Sequence, residues 1–181
     1  GEELRDHGSL NHTKTLYDEL VHVPLVVRYP GRAPARVATP VAVIDLYPTV
    51  LDVAGLAPDA GLRGRSLARL DADAAPRPIF LETSFGQDLD GERRTRRLRA
   101  VVLGSHKLIV EAGDGTRPSR AELYDLARDP LERRDLGTAH PAMRRIAPLL
   151  QRWLAETAPK AERSAEIDAE ERARLESLGY H

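Results

Sequence analysis

Read for the spacing of apolar and polar positions, the chain divides into two unlike halves. After a polar opening, "KTLYDELVH" places Leu16 and Leu20 four residues apart with Tyr17 beside them, which predicts a one-faced helix. The run Val23–Tyr29 ("VPLVVRY") is almost continuously apolar and β-branched, and it ends at Pro30-Gly31. Its length and pattern predict a strand covered on both faces. In "VAVIDLYPTVLDVAGLAP" a second helix is expected, with Asp45 as N-cap, Pro48 in the first turn and Gly55 just past the end. Leu46, Val50, Leu51 and Val53 would form its apolar stripe.

Residues 56–76 are rich in Gly, Pro and Asp and show no period, so a boundary is expected there. Beyond it, "RPIFLETSF", "RLRAVVLG", "HKLIVEAG" and "AELYDL" are short β-rich runs separated by turn residues such as Gly104-Ser105 and Gly113-Asp114-Gly115. That spacing predicts an antiparallel meander. From His140 onward Met143, Ile146, Leu150, Trp153 and Leu154 share one helical face, with a kink expected at Pro148. The end, "SAEIDAEERARLESLGY", reads as a charged helix that needs a surface to dock on.

Composition narrows this picture. A formal net charge of −1 provides no basic footprint for nucleic acid. No apolar run approaches the roughly 18 residues that suggest a membrane span. Cysteine is absent, which removes disulfides, thiolate metal sites and a cysteine nucleophile from these residues. Only Lys14, Lys107 and Lys160 are lysines among 27 basic residues, an imbalance that reads as the codon bias of a GC-rich bacterium. The first half offers one doubly covered strand without sheet neighbours, so the sequence is expected to be part of something longer.

Six blocks in order, "GEELRDHGSLNHTKTLYDELVHVPLVVRYPG", "VIDLYPTVLDVAGL", "LRGRSL", "HKLIVE", "ELYDLARDPLERRDL" and "LESLGY", resemble the C-terminal part of a type I sulfatase of the alkaline phosphatase superfamily. The resemblance implies an α/β fold: the last part of a mixed-sheet α/β sandwich, then a small antiparallel sheet with a C-terminal packing helix. Residues 1–56 would close the catalytic domain, 57–76 would link, and 77–181 would form the antiparallel-sheet subdomain. It also implies hydrolysis of sulfate esters, of a small molecule or a glycan, by a formylglycine nucleophile assisted by Ca2+. Both would belong to the N-terminal remainder of the protein, upstream of Gly1, because the Cys/Ser-x-Pro/Ala-Ser-Arg motif is missing here; Ser119-Arg120 after Pro118 lacks its first half. The chain alone would be inactive, and a periplasmic or secreted location is favoured by the family.

Counted within the family pattern, His12 falls where many relatives carry a lysine that contacts sulfate and the leaving-group oxygen. A protonated histidine could do the same as a general acid. Lys14, two residues on, is the second catalytic candidate. Asp6-His7 mimics a metal motif, but the resemblance places the ligands upstream and assigns no metal to this chain, so a polar turn over the active-site rim is expected. His22 and Arg63/Arg65 read as structural, and Lys107 as facing solvent or a turn. Arg93, Arg94, Arg96 and Arg97 read as a solvated edge that an anionic substrate could meet. Two other readings stay open: a phosphodiesterase or phosphonate hydrolase on the same scaffold, and a stand-alone binding module.

Overall fold

The structure is a computed structural model and describes residues 1–157 apart from Ser9, Pro30, Arg69, 71–74, 90–91 and 113–119. The expected terminal helix, Lys160, "LESLGY", Ser119 and the Gly113-Asp114-Gly115 turn lie outside the described residues, as do the side chains of Arg93 and Arg94.

The chain opens with a hairpin in which β1 (Glu3–Leu4) pairs antiparallel with β2 (Leu10–Asn11). The helix expected from Lys14 is a single turn, α1 (Asp18–Val21). Thr13 takes a left-handed φ of 76°, and Tyr17 caps the turn in an extended conformation. Leu16 is instead buried against the neighbouring sheet. One turn cannot hold itself in water, so its conformation comes from tertiary contacts.

Val23–Tyr29 forms no strand among the described residues, which corrects the expectation. A strand exists only where a neighbour completes its ladder, and none is described here. Val26 is 93% exposed, and Val23, Leu25 and Val27 also face outward.

A 3-10 turn (Val43–Asp45) leads into α2 (Leu46–Val53). The helix ends as expected at Gly55. With φ at +71°, Gly55 donates to Asp52 and Leu56 donates to Leu51, the paired bonds of a Schellman stop. Asp45 occupies the expected N-cap position without a capping bond, and the expected stripe needs correction. The fully buried Asp45 carboxylate accepts from the amides of Ala42 and Arg65, both at 2.9 Å, and from the Arg77 guanidinium. The inward face carries Asp45, Thr49 and Asp52, bonded to Arg65, Leu67 and Ser66 respectively. Leu46, Val50 and Val53 therefore point outward. Gly64 permits this clasp, because a Cβ there would lie 2.0 Å from the Ile44 carbonyl oxygen.

The second half forms the expected meander. β3 (Ile79–Leu89), β4 (Glu92–Leu103), β5 (His106–Glu111) and β6 (Arg120–Asp125) pair antiparallel in that order. Strand alternation sends Val101, Leu108 and Leu123 to one face, where α3 (Met143–Thr157) covers them with Ile146 and Leu150. Trp153 stacks on Phe80 with ring centroids 5.1 Å apart. Pro148 lies inside α3, which continues across it. The opposite face presents Leu98, Ala100, Ile109 and Tyr124, and the N-terminal segment lies on it through Leu16, Tyr17 and Val21.

Candidate functional site

Between the N-terminal segment and this second sheet face lies a cavity of about 850 Å³, in the range that binds small molecules. His7, Lys14 and Tyr17 line it from the segment, and Phe85, Arg96 and Glu122 from the sheet. Arg96 grips Glu111 through two nitrogens, and this hydrogen bonding holds the Glu111 carboxyl below its ordinary range. Arg96 also stands over the Phe85 ring, 5.5 Å from its centre. Arg120 pairs with Glu122, which accepts the Tyr17 hydroxyl at 2.9 Å. Burial first, then that carboxylate, pushes Tyr17 up to about 12, and burial raises Tyr124 as well. Both phenols are neutral near pH 7, so neither serves as a base there.

The floor of the segment is ionic. The Lys107 ammonium, fully buried, lies 2.8 Å from Asp18 Oδ1 and 2.9 Å from Glu132 Oε1. The other Glu132 oxygen accepts the Asp18 amide at 2.6 Å. Burial raises the Glu132 carboxyl above its usual range despite the opposing pull of Lys107. His7 is held by the same residue, since its Nε2 meets the Glu132 carbonyl at 3.1 Å while its Nδ1 meets Glu19 at 2.7 Å. A carbonyl and a carboxylate only accept, so the ring donates to both at once only as an imidazolium. Burial works against that charge, but the bonds to Glu19 and to the Glu132 carbonyl outweigh it and raise the pKa. The ring stacks on Tyr17 at 3.6 Å.

The sequence over residues 6–160 matches the family described as "N-sulphoglucosamine sulphohydrolase, C-terminal". The chain belongs to this sulfatase family. Arylsulfatase K of Mus musculus is 33% identical over 152 residues, spanning 75% of this chain and 26% of that protein. The sulfatase YidJ of Escherichia coli is 28% identical over 137 residues, again 75% of this chain and 26% of that protein. A protein solved with its substrate D-glucosamine-2-N,6-O-disulfate shares the fold with a TM-score of 0.64 at 24% identity, over 90% of this chain and 34% of that one. The chain thus spans about a quarter of the length of the curated relatives it matches.

Within this sulfatase segment the candidate residues separate. His12 stands outside the cavity lining, with its side chain 67% exposed and Nδ1 3.1 Å from a Glu2 carboxylate oxygen. Lys14 is exposed on the cavity wall. Asp6 and His7 sit in a turn, where His7 is half-buried and both its nitrogens are engaged. His22 is exposed, 3.5 Å from Asp18 on α1. Arg63 is exposed, whereas Arg65 does brace the loop through its amide on Asp45. Arg97 is exposed, while Arg96 is drawn into the cavity wall instead of a solvated edge.

Lys107 overturns its sequence reading. Its strand parity sets it with Ile109 and Glu111 on the face beneath the N-terminal segment, so it is buried instead of facing solvent. That parity, together with the scarcity of lysine, was the available signal. Its partners lie 89 residues back and 25 residues on, which no local pattern reveals.

The metal and formylglycine implied by the family do not fit these residues. No three His, Cys, Asp or Glu side chains among the described residues are arranged to hold a metal ion, and the chain has no cysteine.

Proposed function

We propose that this chain forms the C-terminal segment of an enzyme that hydrolyses sulfate esters, with a sulfated sugar as the favoured substrate class. The observation that carries the reading is the family match across residues 6–160. It is supported by the substrate of the structural neighbour, a glucosamine carrying two sulfates. A formylglycine nucleophile and Ca2+, both contributed by residues outside this sequence, would supply the attack on sulfur and the neutralisation of sulfate oxygens.

What remains for this chain is the leaving group and the rim. Cleaving the S–O bond leaves negative charge on the departing alkoxide oxygen, which needs a proton or a cation beside it. His12 is the proposed donor. Its exposed ring is free to turn from Glu2 toward a substrate, and in its imidazolium form it would carry the required proton. Lys14, which has no ion-pair partner among the described residues, is the proposed second cation, placed where an anionic sugar would approach the cavity.

The test uses the full-length protein, produced with its maturation machinery, against 4-nitrophenyl sulfate and bis(4-nitrophenyl) phosphate. Turnover of the sulfate ester with a much larger kcat/KM is expected. Preference for the phosphodiester would replace this reading with a phosphodiesterase on the same scaffold. Residues 1–181 alone should hydrolyse neither.

A further inference from the structure

Three of the sequence blocks, "TLYDEL", "HKLIVE" and "PLERRDL", meet at one point in the fold. There the buried Lys107 ammonium bridges Asp18 and Glu132, and Glu132 also takes the Asp18 amide. Asp18 is thus gripped at both its side chain and its backbone. It stands four residues after Lys14 and six after His12.

The same stretch is pinned at three further places. The Thr13 carbonyl accepts the Thr83 hydroxyl at 2.6 Å, the Thr15 hydroxyl donates to Glu3 at 3.2 Å, and the Tyr17 hydroxyl donates to Glu122. Two of these partners, Thr83 and Glu122, belong to the antiparallel sheet, as does Lys107. Among the four anchors, Lys107 is the only one that places a cation with no solvent contact.

A lysine costs more to bury there than an apolar residue of similar length, because its charge leaves water. What an apolar residue would not supply is a hydrogen bond to Asp18 and an ion pair with Glu132, two carboxylates on different segments. We propose that Lys107 is a positioning residue: the Asp18–Lys107–Glu132 cluster fixes where residues 12–18 stand over the sheet and so sets the reach of His12 and Lys14 toward a bound sulfate ester. This rests on the sulfate-ester reading above. Displacing such groups by a fraction of an ångström to about 1 Å is enough to slow a reaction by on the order of 10²-fold without abolishing binding.

Lys107→Met alone would strand the buried Glu132 carboxylate beside the half-buried Asp18 and could unfold the protein, so the informative variant is Lys107→Met with Glu132→Gln. The glutamine keeps an acceptor for the Asp18 amide, and the pair removes one charge of each sign. Two readouts are taken on the full-length protein after circular dichroism shows unchanged secondary structure. The first is steady-state turnover of a sulfated substrate, with kcat expected to fall roughly 10- to 100-fold through His12 and KM to rise by a smaller factor through Lys14. The second is amide hydrogen exchange, which needs no activity: residues 12–18 should exchange at least about tenfold faster, with β4 and β5 unchanged. Unchanged exchange over 12–18 overturns the proposal, and so does faster exchange with kcat intact, which would make the cluster merely structural. An inactive wild type would count against the sulfate-ester reading, while the exchange result still decides whether Lys107 pins the segment.

Discussion

His7 Nδ1 lies 2.7 Å from Glu19 Oε1, and the opposite ring nitrogen is committed to the Glu132 carbonyl. The histidine therefore donates to α1 and to the loop after β6 at once only while it carries a proton on both nitrogens. Its pKa is raised in the fold, so its contribution to stability is fully present below its unfolded value of about 6.5 and is lost as pH rises through the folded one. A His7→Gln variant should consequently melt below the wild type at about pH 6, and the gap should narrow by about pH 9. A gap that widens with pH would show that the ring is neutral in the folded protein.

Arg77→Ala should be costly for a related reason. Asp45 is completely buried, and Arg77 is its one ion-pair partner among the described residues. The Ala42 and Arg65 amides would remain, so the loss should fall near the low end for a broken buried pair, about 3 kcal/mol. Urea denaturation of the full-length protein measures this. A shift under about 0.5 kcal/mol, the size of an ordinary surface substitution, would mean that the two amides alone suffice for the carboxylate.

The exposed apolar run makes a third case. Val26 is 93% exposed, and Val43, Val50 and Val53 on and before α2 are more than half exposed. An exposed apolar segment such as Val23–Val27 marks a contact face or an aggregation hazard. Residues 1–181 prepared alone should bind a hydrophobic dye and unfold over a broad temperature range, and Val26→Asp should reduce the dye signal. A sharp transition without dye binding would show that this surface is covered within the chain itself.

These cases also show where the sequence was a sufficient guide. The meander was readable because each strand pairs with its immediate neighbour, so local turn residues and β-rich runs carry the whole topology. The α3 face was readable because Ile146, Leu150 and Trp153 repeat at helical spacing. Gly55 ended α2 as its left-handed φ requires. Val23–Tyr29 was misread because apolar content says that a segment can be covered, while a strand also needs a ladder partner. The α2 stripe was misread because Asp45, Thr49 and Asp52 also repeat at helical spacing, and hydrogen bonds to residues 65–67 turned that polar face inward. Lys107 was misread because a charged residue was assumed to seek solvent, when two distant carboxylates were waiting for it. Within the candidate site, Lys14 reaches the cavity wall, while the Arg96–Glu111 and Tyr17–Glu122 pairs were invisible to a reading by motif.

The account is tested most directly by comparing His12→Ala and Lys14→Ala in the full-length protein, across sulfate esters with good and poor leaving groups. If His12 donates the proton to the departing oxygen, its loss should lower kcat by on the order of 10²- to 10⁴-fold, most for the poor leaving groups that need protonation. Lys14→Ala should cost far less in kcat and act mainly through KM, since a cation at the cavity wall holds an anionic substrate without taking part in bond breaking. His12→Lys should keep part of the activity while moving the acid limb of the pH profile, because an ammonium does not titrate near neutrality. Small and equal effects from His12→Ala and Lys14→Ala, independent of the leaving group, would contradict the account and return both residues to the protein surface.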